Sequence, residues 1–236
     1  MRFSNTLFML VMITANVFSF YWGEYNTLSP TLYITGLALI SIAYWWASFK
    51  IKTRDFIILT SISCILAFFD EYSHTLADAF TYFDGMQPSP LSVFGWGVFI
   101  PVILTLTQAL HKKIDHENFS SRIPKTTPVV ISIILLIMCS WMQGYLSILL
   151  KVPLIVVYIF LGLTSLYYSS QHSSDWNVLV IIISLVTSAL MEVIGIMDGM
   201  WTYHYNELFP IFIFFTWTLR TLTILGVSSL FNIEFN

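Results

Sequence analysis

Eight long apolar stretches constrain this chain more than any other feature. They fall at residues 5–22, 32–49, 56–80, 91–111, 128–145, 148–168, 176–200 and 208–231. A helix that crosses a bilayer needs about 20 mainly apolar residues. The runs are continuous rather than short segments of alternating polarity, which points to helices and away from a transmembrane β-barrel. Charged residues make up 10% of the chain, against about 25% in soluble domains, so water is the wrong solvent for most of this surface. The expected fold is all-α: a polytopic transmembrane helical bundle of about eight spans, or seven, forming a single membrane domain over 1–236. The first run has a weak basic flank and no Ala-x-Ala-type cleavage site, so it is expected to be a retained helix. A net charge of −3 without a basic stripe indicates no nucleic-acid partner. Cys64 and Cys139 lie inside apolar runs and read as small core residues rather than a disulfide or metal pair.

Two of the runs lead into the same polar plan. FDEYSHTLADAFTYFDGMQPSPLSVFGW covers Phe69–Trp96, and LMEVIGIMDGMWTYHYNELFPIFIFFTW covers Leu190–Trp217. A shift of 121 positions carries Glu71 onto Glu192, Phe80-Thr81-Tyr82 onto Trp201-Thr202-Tyr203, and Trp96 onto Trp217. The same shift lands the first four apolar runs approximately on the last four. The chain therefore reads as two parallel four-helix repeats, 1–111 and 128–236, joined by a polar linker at 112–127. Under that topology Arg2, Lys50, Lys52, Arg54, Lys112, Lys113, Arg122 and Lys125 share one side, and the opposite loops hold only Lys151. The positive-inside rule then makes both termini and the linker cytoplasmic, in the inner or plasma membrane, with the two motif loops facing outward.

Glu71 and Glu192 each sit about fifteen residues into a helix, within the outer half of the bilayer at 1.5 Å per residue. An ionisable group there costs a few kcal/mol and normally faces a cavity or a partner. A positioned carboxylic acid suits proton transfer; the alternative is a structural carboxylate hydrogen-bonded between helices. The candidate catalytic groups are Glu71, Glu192, Asp78, Asp198 and His74. His74 and Asp78 follow Glu71 at i+3 and i+7, on one helical face. Glu-x-x-His is half of a di-iron bundle motif, but Gly195 occupies the position matching His74, and the expectation is no metal. Gly195 and Gly199 flatten one side of their helix and allow close approach.

Arg220 lies near the expected midplane, one or two turns deeper than Glu192. It is expected to pair with Glu192 or Asp198, leaving Glu71 as the acid, because Phe99 stands at the position matching Arg220. Trp and Tyr gather at membrane interfaces in any case. Aromatic faces also stabilise cations, so Phe80, Tyr82, Trp96, Trp201, Tyr203 and Trp217, with Arg220, are the candidate substrate-binding residues beside the acids. No Gly-rich phosphate loop, Gly-x-Ser-x-Gly elbow or His-Glu-x-x-His occurs, and the last span has no Lys.

From Glu192 to Trp217 the pattern Glu-x-x-Gly, Gly-x-Trp-x-Tyr, Pro, Trp (Glu192, Gly195, Gly199, Trp201, Tyr203, Pro210, Trp217) resembles the membrane family of carotenoid-biosynthesis proteins that includes carotenoid hydratases. The size and the acids within helices are similar to the small integral-membrane terpene cyclases. The resemblance covers about thirty residues of the second half and less of the first. It implies acid-initiated cyclisation or hydration of a lipophilic isoprenoid, with Glu71, Asp78, Glu192 and Asp198 as candidate donors and no cofactor. A small proton-coupled carrier with twin glutamates is the rival expectation, and a non-catalytic membrane component the third.

Overall fold

A computed structural model of the chain describes residues 53–76, 80–82, 85, 88–114, 123–142, 148–197, 199–204 and 209–233. These residues form six helices and two three-residue strands: α1 (Thr53–Leu76), β1 (Phe80–Tyr82), α2 (Pro90–His111), α3 (Thr127–Met142), α4 (Ile148–Gln171), α5 (Ser174–Met197), β2 (Trp201–Tyr203) and α6 (Phe209–Ser229). Three of the helices are long and apolar enough to cross a membrane, with spans at Arg54–His74, Ser92–His111 and Ser174–Val193. The runs at 128–145 and 148–168 form two helices, α3 and α4. The runs at 5–22 and 32–49, and the central part of the linker, lie outside the described residues.

Local chemistry sets the element ends. Ser89 precedes Pro90 and is extended, with φ −65° and ψ 131°, as the residue before a proline must be. Proline at the start of α2 then loses no hydrogen bond, since the first helical N–H groups have no partner in the helix. At the end of α5, Gly199 takes φ +66°. The Met200 N–H donates to the Gly195 carbonyl at 2.8 Å, and the Gly199 N–H donates to that of Ile196 at 3.1 Å. This is a Schellman closure, which favours glycine because a Cβ is disfavoured at positive φ. It folds the chain back over the last turn of α5 and starts β2 there. The ribbon departs from the all-helical expectation. Glycine ends the helix, and the aromatic and β-branched residues that follow favour an extended backbone.

α6 is the central element, packed against α1, α3, α4 and α5, while α2 bridges α1 and α5. Its residues from Thr218 to Gly226 are buried without a break. At Gly226 a Cβ would overlap the Thr164 carbonyl oxygen, so α4 and α6 approach at backbone distance. Small residues permit such approaches between membrane helices.

Apolar side chains cover the outside of this bundle as well as filling its core. Ile65, Phe69, Ile137, Leu163, Val186 and Leu190 project outward from four helices. Ser63, Thr107, Ser184, Ser188, Thr221 and Thr223 are fully buried. These six hydroxyls are hydrogen-bonded, as burial favours. Ser184 donates to Thr221 across the α5–α6 seam at 3.0 Å. Thr223 bridges to the Leu161 carbonyl of α4, also at 3.0 Å.

Candidate functional site

The site is organised by the two-stranded ribbon. β1 and β2 pair antiparallel, with Phe80 opposite Tyr203, Thr81 opposite Thr202 and Tyr82 opposite Trp201. Each strand follows a helix that ends with a buried glutamate five residues before its last residue, at Glu71 in α1 and Glu192 in α5. From the ribbon, each tyrosine reaches back to the glutamate eleven residues before it. The Tyr82 hydroxyl donates to Glu71 Oε2 at 2.5 Å, and the Tyr203 hydroxyl donates to Glu192 Oε1. Burial first, and then the adjacent glutamate, push both phenols up from their ordinary value, so both remain donors at neutral pH.

Beyond the tyrosines the two glutamates differ. Glu71 receives Arg220 Nη1 on Oε1 at 2.8 Å, and Arg220 Nη2 pairs with Asp70. Ser92 and Trp96 of α2 also lie beside Glu71. The guanidinium lies over the Trp96 ring, 4.5 Å from its centroid. His74 Nδ1 donates to the Asp70 carbonyl at 2.8 Å and sits 3.6 Å from that residue's Oδ2. Its ring stacks on Phe80. Glu192 has neutral donors instead. The Trp201 indole Nε1 donates to Oε1 at 2.9 Å, on the same oxygen as Tyr203. The other oxygen, Oε2, is buried without a hydrogen-bond partner among the described residues.

The expected pairing of Arg220 with Glu192 or Asp198 is therefore corrected: the partners are Asp70 and Glu71. Counting along α6 gives a position along the helix but not its rotation. Rotation turns Arg220 toward α1, where two adjacent acids and the Trp96 face receive it. This reverses the expected roles, since Glu71 carries the cation and Glu192 does not. Asp78 and Asp198 lie outside the described residues. Asp70 was not among the expected site residues. Its signal was an acid directly preceding Glu71 in an apolar run, in a chain with an Arg inside its last apolar run.

The aromatics pack ring to ring. Trp96 and Trp217 touch with centroids 5.0 Å apart, and Phe99 meets Trp217 edge-on at 5.2 Å. Phe80, Tyr82 and Tyr203 form a second group, with Phe80 edge-on to both tyrosines. Trp201 joins it against Tyr82, and Trp217 packs against this group from the core. Tyr82 is buried and bonded to Glu71, and Trp201 and Tyr203 are half-buried and bonded to Glu192. All three are turned inward, where an interfacial belt would have them outward.

Compared with protein-family models, curated proteins and solved structures, the chain has no match in any of the three.

The chemistry therefore rests on the geometry. Among the described residues the site holds three buried carboxyls, Asp70, Glu71 and Glu192, and one buried guanidinium. Arg220 spans the first two. Glu71 and Glu192 lie within electrostatic reach of one another. A third carboxylate without a cation in this low-dielectric interior would be costly, and a neutral acid at Glu192 removes that cost. The arrangement can thus hold one fixed anionic pair beside one acid with a transferable proton.

Proposed function

We propose that this protein is an integral-membrane enzyme that starts cyclisation or hydration of a lipophilic isoprenoid by protonating it, with Glu192 as the acid. The observation that carries the reading is the contrast at the glutamates. Glu71 is tied to Arg220, whereas Glu192 has only neutral donors on one oxygen and no partner among the described residues on the other. Protonating an alkene generates a carbocation, which aromatic faces stabilise. Tyr82, Trp201, Tyr203 and Trp217 supply such faces around the ribbon. The isoprenoid class comes from the resemblance of Glu192–Trp217 to carotenoid hydratases and membrane terpene cyclases.

The membrane setting is the wider part of the proposal. Outward apolar side chains and inward hydroxyls suit a lipid solvent. We read the whole chain as about eight spans in two parallel repeats, with cytoplasmic termini and outward ribbon. In support, α1 and α5 both run for 24 residues, and the two strands fall at matching positions after them. An outward site remains open to a lipid substrate that enters laterally.

The test is the lipid extract of cells carrying the wild-type protein, Glu192→Gln, or neither, compared by mass. A product made only with the wild type is expected; equal product from Glu192→Gln overturns the assignment. The buried acid at Glu192 also fits a second reading, a proton-coupled carrier. That reading requires pH-dependent uptake into vesicles that disappears in Glu192→Gln.

A further inference from the structure

We infer that Gly195 and Trp201 are positioning residues that load the neutral donors onto Glu192 Oε1, leaving Oε2 to hold and hand over the proton. The inference rests on the acid role proposed for Glu192 and specifies how that acid is oriented.

A neutral carboxyl has one carbonyl oxygen, which accepts, and one hydroxyl oxygen, which carries the proton. The Trp201 indole and the Tyr203 hydroxyl both donate to Oε1. An oxygen that accepts two donors is the carbonyl oxygen. The proton is then on Oε2, which is buried and has no partner among the described residues. In the transfer, the Oε2–H bond breaks and the alkene π pair forms the new C–H bond. The positive charge appears on the other alkene carbon, and a carboxylate remains. Its negative charge is met by the two donors on Oε1, whose bonds become charge-assisted at that moment. The proton returns when the cation later loses one, or when water adds and gives one up.

Gly195 makes this geometry possible. A Cβ at position 195 would overlap the six-membered ring of Trp201, so the indole lies directly on the α5 backbone, with Nε1 aimed at the glutamate one turn earlier. The Schellman closure fixes this placement, because the Gly195 carbonyl that accepts from Met200 also anchors the turn into β2. At the positions 121 residues earlier the pair is His74 and Phe80. The helix residue there is large, the ring on the strand is smaller, and the two stack at 6.1 Å. Phenylalanine has no N–H, and Glu71 is served by Arg220 instead. The exchange of His with Phe for Gly with Trp thus decides that Glu192, and not Glu71, receives an indole from the strand that follows its own helix.

The test is infrared spectroscopy of the purified protein in lipid, reading the carbonyl stretch of the protonated Glu192, assigned by its loss in Glu192→Gln. Trp201→Phe removes one hydrogen bond to the carbonyl oxygen and is expected to raise the band frequency. Gly195→Ala is expected to raise it as well, because the indole is pushed off, and to lower the melting temperature. In Gly195→Ala with Trp201→Phe, the smaller ring is expected to restore the melting temperature while the band stays high. Turnover is expected to fall at least tenfold in all three. No Glu192 band in the wild type, or an unmoved band in Trp201→Phe and Gly195→Ala, overturns the inference. Bands that move as expected without any isoprenoid product support the positioning and overturn the proposed reaction instead.

Discussion

Arg220 of α6 and Glu71 of α1 are joined by a 2.8 Å bond from Nη1 to Oε1, and the other end of the same guanidinium is paired with Asp70. All three side chains are at least 95% buried. A buried ion pair adds little over a well-packed apolar replacement, but removing one member leaves an uncompensated charge that costs about 3–5 kcal/mol.

Arg220→Met is therefore expected to lower stability by about 3–5 kcal/mol, read from thermal unfolding in detergent. Adding Asp70→Asn and Glu71→Gln to it removes the orphaned charges and is expected to recover most of the loss. A triple variant as unstable as Arg220→Met alone would show that the cluster is not held by charge.

The two glutamates are expected to respond oppositely to the same change. Glu71→Gln leaves Arg220 short of a counter-charge and should act mainly on stability, at about 3 kcal/mol or more. Glu192→Gln exchanges one neutral-donor environment for another, costs under about 1.5 kcal/mol, and should abolish product. Unfolding curves and lipid analysis on the same preparations separate the effects.

At Gly226 the backbone of α4 is already in contact. Gly226→Ala is expected to push α4 and α6 apart at about 1–3 kcal/mol, the usual range for overpacking. The melting temperature checks this, and an unchanged value would mean that the two helices part freely.

Topology has a direct readout. With Cys64 and Cys139 replaced by serine, cysteine placed at exposed Thr202 is expected to react with an impermeant reagent from outside intact cells. Cysteine at exposed Lys113 is expected to react only after the cells are opened. Labelling of both from one side would overturn the proposed orientation.

The helices were legible because lipid-length apolar runs leave few alternatives, and the described helices fall within a few residues of those runs. Glu71, Glu192 and their aromatic neighbours were legible because carboxylates in apolar helices are costly enough to mark a site. The partner of Arg220 was not. Periodicity fixes how far along a helix a residue lies, whereas the direction of its side chain depends on how α6 is rotated between α1 and α5. The roles of Tyr82 and Tyr203 were hidden for a related reason. Each lies eleven residues beyond its glutamate, and only the turn into the ribbon brings it back. Gly195 was read as room for a neighbour, and that neighbour proves to be Trp201, six residues along the same chain.

On the proposed two-repeat reading, the difference between Phe99 and Arg220 makes one long chain suit this site better than a pair of identical short ones. Two copies of the first half would gather two Asp–Glu pairs with phenylalanine in place of Arg220, an anionic core that would not close. Two copies of the second would bring two arginines to two glutamates, and both acids would be neutralised and idle. Only the unlike pairing supplies one cation to three carboxyls and leaves a single acid free.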